Sequence, residues 1–320
     1  MLDTTTRFSK INRAFAAAFQ PNRLTLGLVT PVEAHGHSPT PTLERHIERA
    51  QLADDLGFAA LWLRDVPLNV PSFGDAGQTF DPFVYLGLLA GATRTVGLGV
   101  ASVILPLRHP LHVAKAAASA DVLSGGRLLL GVASGDRPEE YPAMAMDFAS
   151  RGERFQDSIQ YIRAMADDYP DLRSEQGTLA GGADLLPKPV GGRLPLLITG
   201  GSRQPPDWVA QHGDGWITYP RDPHAQGRVV ADYRRRVADA GEPDKPVVQS
   251  LYVDLQPDPN AKPRPIHLGF SSGTTFLRQY LSDVQKLGIN HVALNLRFHQ
   301  GNVEDAMKQI ADALLPDFSL

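Results

Sequence analysis

Apolar positions along the chain alternate between two rhythms. Runs of strand length are followed by segments whose apolar residues recur at helical spacing, and Gly, Pro, Asp or Ser separates each pair. The strand pattern falls on residues 24–29, 59–63, 96–101, 127–132, 194–198, 215–218, 247–254 and 291–296. The helical pattern falls on residues 43–56, 82–92, 111–123, 152–168, 206–212, 223–240, 274–287 and 303–314. Gly57 and Gly288 each stand between a helix and the next strand, where a C-terminal helix cap needs a glycine. Near-continuous apolar strands such as Leu128-Leu129-Leu130 suit a parallel sheet covered by helices on its faces. Eight β-α pairs in succession predict an α/β fold, a (β/α)8 TIM barrel; an open doubly wound sheet is the alternative.

Three stretches break the rhythm. Residues 172–195 carry Gly177, Gly181, Gly182 and Pro187-Lys188-Pro189, and read as an insertion before the fifth strand, with room for a hairpin. Residues 256–273 carry four prolines and read as a long loop after the seventh strand. In a barrel, loops that follow strands lie on the catalytic face, so the second is a candidate lid, as is the first. Residues 1–20 place Arg7, Lys10 and Arg13 among Phe8, Ile11, Phe15 and Phe19. This resembles a transit peptide superficially, but Asp3 and the lack of a serine-rich tract favour a structural helix packed on the barrel or on a partner subunit. The expected organisation is an N-terminal helical extension over residues 1–20 and one barrel domain over residues 21–320.

Composition narrows the function classes. With 42% hydrophobic and 21% charged residues the chain is globular, and at 320 residues it can bury a substantial core. A net charge of -4 without a basic tract argues against nucleic acid as a partner. No apolar run approaches the length of a membrane span. The absence of cysteine excludes thiolate chemistry and disulfides, and fits a cytoplasmic setting.

Two strand ends carry the strongest chemical signal. The fourth ends in Gly131-Val132-Ala133-Ser134-Gly135-Asp136-Arg137, the fifth in Ile198-Thr199-Gly200-Gly201-Ser202-Arg203-Gln204. Small residues there let backbone N–H groups approach an anion, while serine adds a donor and Arg137 or Arg203 adds charge. Each loop alone is equally well a tight β-α turn. Gly97-Leu98-Gly99 lies inside a strand and lacks the final glycine of a dinucleotide fingerprint, and no Walker loop is present. His35-Gly36-His37 has the spacing of a metal pair, but the later strand ends offer none of the required histidine or aspartate partners, so no metal is expected. Arg64 and Asp65 close the second strand and are candidates for substrate or cofactor contact, or a simple ion pair. Glu33 is a candidate base or a solvated loop carboxylate. His109 is a candidate cofactor contact or a helix cap, and Trp216 and Tyr219 a candidate wall for a planar ligand.

Four segments together resemble the luciferase-like flavin monooxygenase superfamily, and in particular its luciferase-type oxidoreductase subgroup. They are Leu56-Gly57-Phe58 leading to Trp62-Leu63-Arg64-Asp65, residues 98–110 (LGVASVILPLRHP), residues 121–135 (DVLSGGRLLLGVASG), and Asp214-Gly215-Trp216. The third is the most specific. The resemblance implies a barrel that binds FMN, with the phosphate near Ser134, Gly135 and Tyr141 on one side and Gly200, Gly201, Ser202, Arg203 and Gln204 on the other. It implies a non-prolyl cis peptide behind the flavin ring at the end of the third strand, at Ser102-Val103 with Ala101 beside it, and Trp216 in the same site. The implied reaction is a monooxygenation of a small organic substrate by O2 and reduced flavin, the latter supplied by a separate flavin reductase because no nicotinamide site is visible. A homodimer is implied as well. Where bacterial luciferase has a Glu-His pair after the second strand, this chain has Asp65-Val66, so light emission is not implied; Arg64, Asp65 and His109 remain the catalytic candidates. Deazaflavin-dependent hydride transfer shares the fold and is the alternative chemistry. A flavin-binding protein without turnover is the non-enzymatic one.

Overall fold

The computed structural model describes residues 8–319. Its parallel strands are β1 (Thr25–Val29), β2 (Ala60–Leu63), β3 (Gly97–Ile104), β4 (Leu128–Ala133), β7 (Leu196–Thr199), β8 (Gly215–Thr218), β9 (Val247–Leu255) and β12 (His291–Asn295). They run in the order β9-β12-β1-β2-β3-β4-β7-β8, and β8 pairs with β9 to close the barrel. The helices that follow these strands in turn are α2 (His46–Leu56), α3 (Pro82–Ala92), α4 (Pro110–Leu123), α6 (Arg151–Ala164), α7 (Pro206–His212), α8 (Pro223–Asp239), α9 (Thr274–Lys286) and α10 (Val303–Leu314). The closed barrel predicted from the alternation is the observed fold. Gly57 and Gly288 hold φ of 88° and 94° as expected of helix-ending glycines. Among the described residues no helix is long and apolar enough to cross a membrane.

The start of the chain is less helical than its pattern predicts. Residues 1–7, including Arg7, lie outside the described residues, and the helix α1 covers only Arg13–Ala18. Phe8, Ile11, Phe15 and Phe19 are buried together with inward-facing barrel residues such as Ala60, Leu129 and Leu197. This segment therefore plugs the N-terminal end of the barrel. Asn12 fixes it there: its Oδ1 accepts the Phe15 N–H, and its Nδ2 donates to Asp121 and to the Leu128 carbonyl.

Inside the barrel, two large polar side chains fill the space left by glycines. Trp62 Nε1 donates to His291 Nε2 at 2.8 Å, so His291 Nδ1 carries the proton and donates to Thr25 Oγ1 at 2.7 Å, and Thr25 donates onward to the Ala18 carbonyl. A Cβ at Gly99 would lie 2.4 Å from the Trp62 ring, and one at Gly27 would lie 2.7 Å from His291 Nε2. Full burial makes a charge costly at His291 and pushes its pKa down to about 3.

Of the irregular stretches, the insertion before the fifth strand holds the hairpin it had room for, and the proline-rich one departs from its predicted form. The hairpin β5 (Asp171–Ser174) and β6 (Gly177–Ala180) stands before β7 and pairs only with itself. After β9 the proline-rich stretch is a hairpin, β10 (Arg264–Ile266) and β11 (Gly269–Ser272), and β11 pairs in parallel with the outer half of β9 from Tyr252 to Leu255. Ser271 donates to Asp254 at 2.7 Å and Gln256 bridges both. The expected lid is thus a wall bonded to the barrel. Helix α2 starts at His46 rather than Leu43, because Leu43 and Arg45 take left-handed φ of 59° and 56°. The short helix α5 (Glu140–Ala143) follows β4 and was not visible in the periodicity.

The cis peptide is a correction. It lies at Ala101-Ser102, not at Ser102-Val103. The β3–β4 register slips between Val100 and Val103, so Ala101 and Ser102 leave the ladder together while Val103 rejoins it and packs outward against the helices.

Candidate functional site

A cavity of about 360 Å³ opens at the C-terminal ends of the barrel strands. Its floor is apolar, formed by Val29, Trp62, Ala101, Ile217, Val248 and Ala293, which alternate inward along their strands. Ser102 and Thr199 interrupt this floor with two hydroxyls hydrogen-bonded to each other. Ser134, Gly135, Gly200 and Ser202 line one side.

The two glycine-serine turns are built for close approach. Gly135 has φ of 73°, and a Cβ there would lie 2.7 Å from Ile104 Cγ2 and 3.1 Å from the Tyr141 hydroxyl. Tyr141 is buried and donates to the Ser134 carbonyl, which sets the turn from behind. In the second turn Gly200, Ser202 and Arg203 all take positive φ, at 56°, 43° and 63°. Among the described residues no hydrogen bond uses the N–H of Gly201, Ser202 or Arg203. Consecutive free N–H groups in left-handed turns form a concave anion receptor. The Ser202 hydroxyl itself is turned back to donate to Thr199 O at 2.8 Å, and Gln204 donates to Gly152 O at 2.7 Å; both brace the turn. The Arg203 side chain is exposed at its rim.

Trp216 supports the same turn instead of walling the cavity. Its Nε1 donates to Gly200 O at 2.9 Å while its ring stacks on Tyr233 at 5.1 Å. Strand alternation explains this: Ile217 faces the barrel interior, so Trp216 must face the helices. Tyr219, just beyond β8, does line the cavity.

Two catalytic candidates are engaged by neighbouring protein groups. Asp65 accepts the Ile104 N–H at 3.0 Å and two Arg108 bonds at 2.8 and 3.1 Å, with both oxygens engaged. It holds β2 to the end of β3 while lining the cavity, with three of its acceptor positions taken. His109 caps α4, accepting the Leu111 N–H, and its other ring nitrogen meets Gln176 O at 2.8 Å outside the cavity. Glu33 is buried, not solvated, and accepts the Thr42 and Leu43 N–H groups.

Arg64 faces the cavity and belongs to a network that sequence spacing does not reveal. Asp75, in the loop after β2, takes Arg64 Nη1 at 2.5 Å, Arg297 Nη1 at 2.8 Å and the Gly77 N–H at 2.8 Å, with His35 Nε2 3.8 Å away. Burial opposes its ionisation, but His35 and the two arginines outweigh that and hold the carboxyl well below the usual range. The loops after β1, β2 and β12 thus meet on one carboxylate. Ser250, Tyr252 and Asn295 also line the cavity and were not foreseen. Their signal was present, since they continue the inward alternation of Val248 and Ala293 with polar residues.

The luciferase-like monooxygenase family profile matches residues 24–320. A Mycobacterium tuberculosis protein is 30% identical over 189 residues, covering 54% of this chain and 67% of that one. The oxygenase component of a flavin-dependent trigonelline monooxygenase from Acinetobacter baylyi is 36% identical over 119 residues, covering 37% of this chain and 32% of that one. Among solved structures, an F420-dependent secondary alcohol dehydrogenase in complex with an F420-acetone adduct superposes with a TM-score of 0.76 at 16% identity, covering 93% of this chain and all of that one. The oxygenating constituent of 3,6-diketocamphane monooxygenase from Pseudomonas putida, in complex with FMN, gives 0.73 at 14% identity over 93% of this chain and 99% of that one. At those identities the two structures speak to the fold alone. Profile, barrel and strand-end turns together identify the chain as an oxidoreductase that belongs to the luciferase-like monooxygenase family.

Proposed function

We propose that the chain is an FMN-dependent monooxygenase that uses reduced flavin and O2 on a small organic substrate. The observation that carries this reading is the left-handed turn at residues 200–203, with three free N–H groups beside an apolar-floored cavity. A flavin mononucleotide has matching parts, a phosphate for the turn and a flat ring for the floor. The residues present fit that group: Gly135 admits no Cβ, and Gly200 adopts its φ at no steric cost.

In this reading the N–H groups of Gly201, Ser202 and Arg203 hold the phosphate, with Ser134 and Gly135 closing from the β4 side and the Arg203 guanidinium adding charge. Tyr141, Gln204 and Trp216 keep the turns in shape. Val29, Ile217, Val248 and Ala293 exclude water beneath the ring, and the Ser102–Thr199 hydroxyl pair offers it a hydrogen bond. Bound reduced flavin supplies the electrons that activate oxygen. No acid or base is assigned to Asp65 or His109.

A separate reductase is part of the proposal, supported by the relative described as an oxygenase component. A homodimer is too: the outward stripe of α3, Val84, Gly87, Leu88 and Gly91, is exposed and uncharged. A cysteine-free chain is compatible with a cytoplasmic location.

Fluorescence titration of the purified protein with oxidised and reduced FMN is the direct test, with saturable binding expected for both. Competition by the deazaflavin F420 tests the cofactor choice, and tighter binding of F420 would replace monooxygenation with hydride transfer. Oxygen uptake with reduced FMN, accelerated by a substrate, is the expected catalytic signature.

A further inference from the structure

We infer that the cavity takes an organic substrate bearing a carboxylate, anchored by Arg64 between Tyr219 and Tyr252. This deepens the proposed monooxygenase reading and rests on it.

Three arginines surround Asp75, and they are used differently. Arg297, 10% exposed, donates to Asp75, to Gly74 O at 2.7 Å and to Ser38 O at 3.4 Å. Arg137, 8% exposed, donates to Leu68 O and Asp75 O at 3.5 and 3.3 Å. Backbone carbonyls therefore hold both guanidinium groups in place, with Arg297 Nε buried and unpartnered among the described residues. Arg64, 27% exposed, donates only through Nη1, to Asp75. Among the described residues its Nε and Nη2 have no partner, and neither is a buried orphan. These two atoms form the side-on edge of a guanidinium, which matches the two oxygens of a carboxylate. Asp75 cannot neutralise Arg64 fully, because it shares its charge with Arg297.

The surroundings suit a flat anion. Tyr219 and Tyr252 line the same cavity, and among the described residues neither hydroxyl has a hydrogen-bond partner. Tyr219 stands half exposed at the mouth and Tyr252 is partly buried; both share the cavity lining with Arg64. Tyr252 is held edge-on by His267 and inclined against Phe298, at 5.5 and 5.1 Å between centroids. Asn295 adds an amide whose Oδ1 is taken by the Arg297 N–H, leaving its Nδ2 to donate.

This cationic site is distinct from the phosphate turn. Arg64 follows β2 and the turn follows β7, three strands further round an eight-stranded barrel, so the two stand on opposing sides of the mouth. The mouth thus directs a cofactor phosphate to one side and a substrate anion to the other.

The test compares benzoate with its neutral isostere benzamide on the full-length wild-type protein, by calorimetry and by perturbation of the bound-FMN absorbance spectrum. Benzoate is expected to bind at least tenfold more tightly. Arg64→Gln is expected to erase that preference while leaving FMN affinity within about twofold; Arg64→Lys keeps part of it, and Tyr252→Phe weakens benzoate about threefold. Equal binding of the two probes, or no binding of benzoate, overturns the inference without needing any variant. A tenfold loss of FMN affinity in Arg64→Gln also overturns it, by assigning Arg64 to the cofactor. Absence of FMN binding to the wild type instead refutes the flavin reading, and the calorimetric comparison still decides whether the cavity prefers an anion.

Discussion

At the N-terminal end of the barrel Arg127 directs five hydrogen bonds onto Ala90 O, Thr93 O, Thr93 Oγ1, Val96 O and Ser124 O; at the C-terminal end three consecutive N–H groups, at residues 201–203, have no partner among the described residues. The two ends hold cavities of similar size, about 340 Å³ and 360 Å³. Size does not separate them. In the N-terminal cavity Arg163 and Arg193 both close on Asp214, and Lys245 closes on the carbonyls of Ala210 and Gln211. Most of its charged groups hold loops and helix ends together, and although Arg193 keeps one edge free, no apolar side chain among the described residues lines this cavity. In the C-terminal cavity the turn N–H groups and one edge of Arg64 stay free. Unspent donors beside an apolar floor, not volume, mark the end that binds.

The largest effect is expected where the spent donors are removed. Arg127→Met leaves several buried acceptors without donors at the junction of α3, β3 and β4. Each orphaned acceptor costs about 1–3 kcal/mol, and with partial relaxation the total is about 4 kcal/mol. Urea unfolding measures it. The folded fraction is expected to bind FMN as the wild type does, and a selective loss of binding would erase the division between the two ends.

His291 lies between those ends and gives a pH test. Its folded pKa, about 3, is depressed below the usual 6.5, so between those values the unfolded chain takes a proton that the folded one refuses. Its contribution is therefore complete above pH 6.5 and declines as pH falls toward 3. At pH 5 the expected loss is about 2 kcal/mol. Paired unfolding curves at pH 7 and pH 5 should show a difference that shrinks by that amount in His291→Gln.

At the mouth, Gly135→Ala places a Cβ 2.7 Å from Ile104 Cγ2 in a left-handed turn. A stability loss of about 1–2 kcal/mol is expected, together with at least a tenfold loss of FMN affinity, about 1.4 kcal/mol. Gly74→Ala is the matched control. Its φ of 65° carries the same backbone penalty, but nothing lies within 4 Å of the new Cβ, so affinity should hold while stability drops by about 1 kcal/mol.

The barrel was legible because parallel strands and covering helices impose a period on every β-α unit. The site was legible only where local chain geometry makes it, as at Gly135 and Gly200. The segment with the most specific family resemblance, residues 121–135, turns out to serve both ends: Asp121 and Arg127 secure the plug and the helix ends, and Ala133, Ser134 and Gly135 reach the cavity. Asp75 was illegible because its partners come from three loops distant in sequence, and only folding brings His35, Arg64 and Arg297 to one carboxylate. His109 was placed outside the cavity for a related reason, and Asp65 lines the cavity but is tied to Arg108 and the Ile104 N–H. A polar residue at a strand end looks the same in sequence whether it faces ligand or caps its neighbours.

The smallest effect tests the contrast most sharply. Thr199→Val removes one hydroxyl of the Ser102–Thr199 pair on the cavity floor and keeps the side-chain shape. If the mouth's polar groups serve binding more than folding, the remaining Ser102 hydroxyl can turn to cavity water, and unfolding stability should change by under about 1 kcal/mol. FMN affinity should fall about two- to fivefold, because the ring loses one donor or acceptor beneath it. A loss near that of Arg127→Met would mean that the pair ties β3 to β7 as a structural clasp. The C-terminal cavity would then differ from the N-terminal one only in its turns and in Arg64.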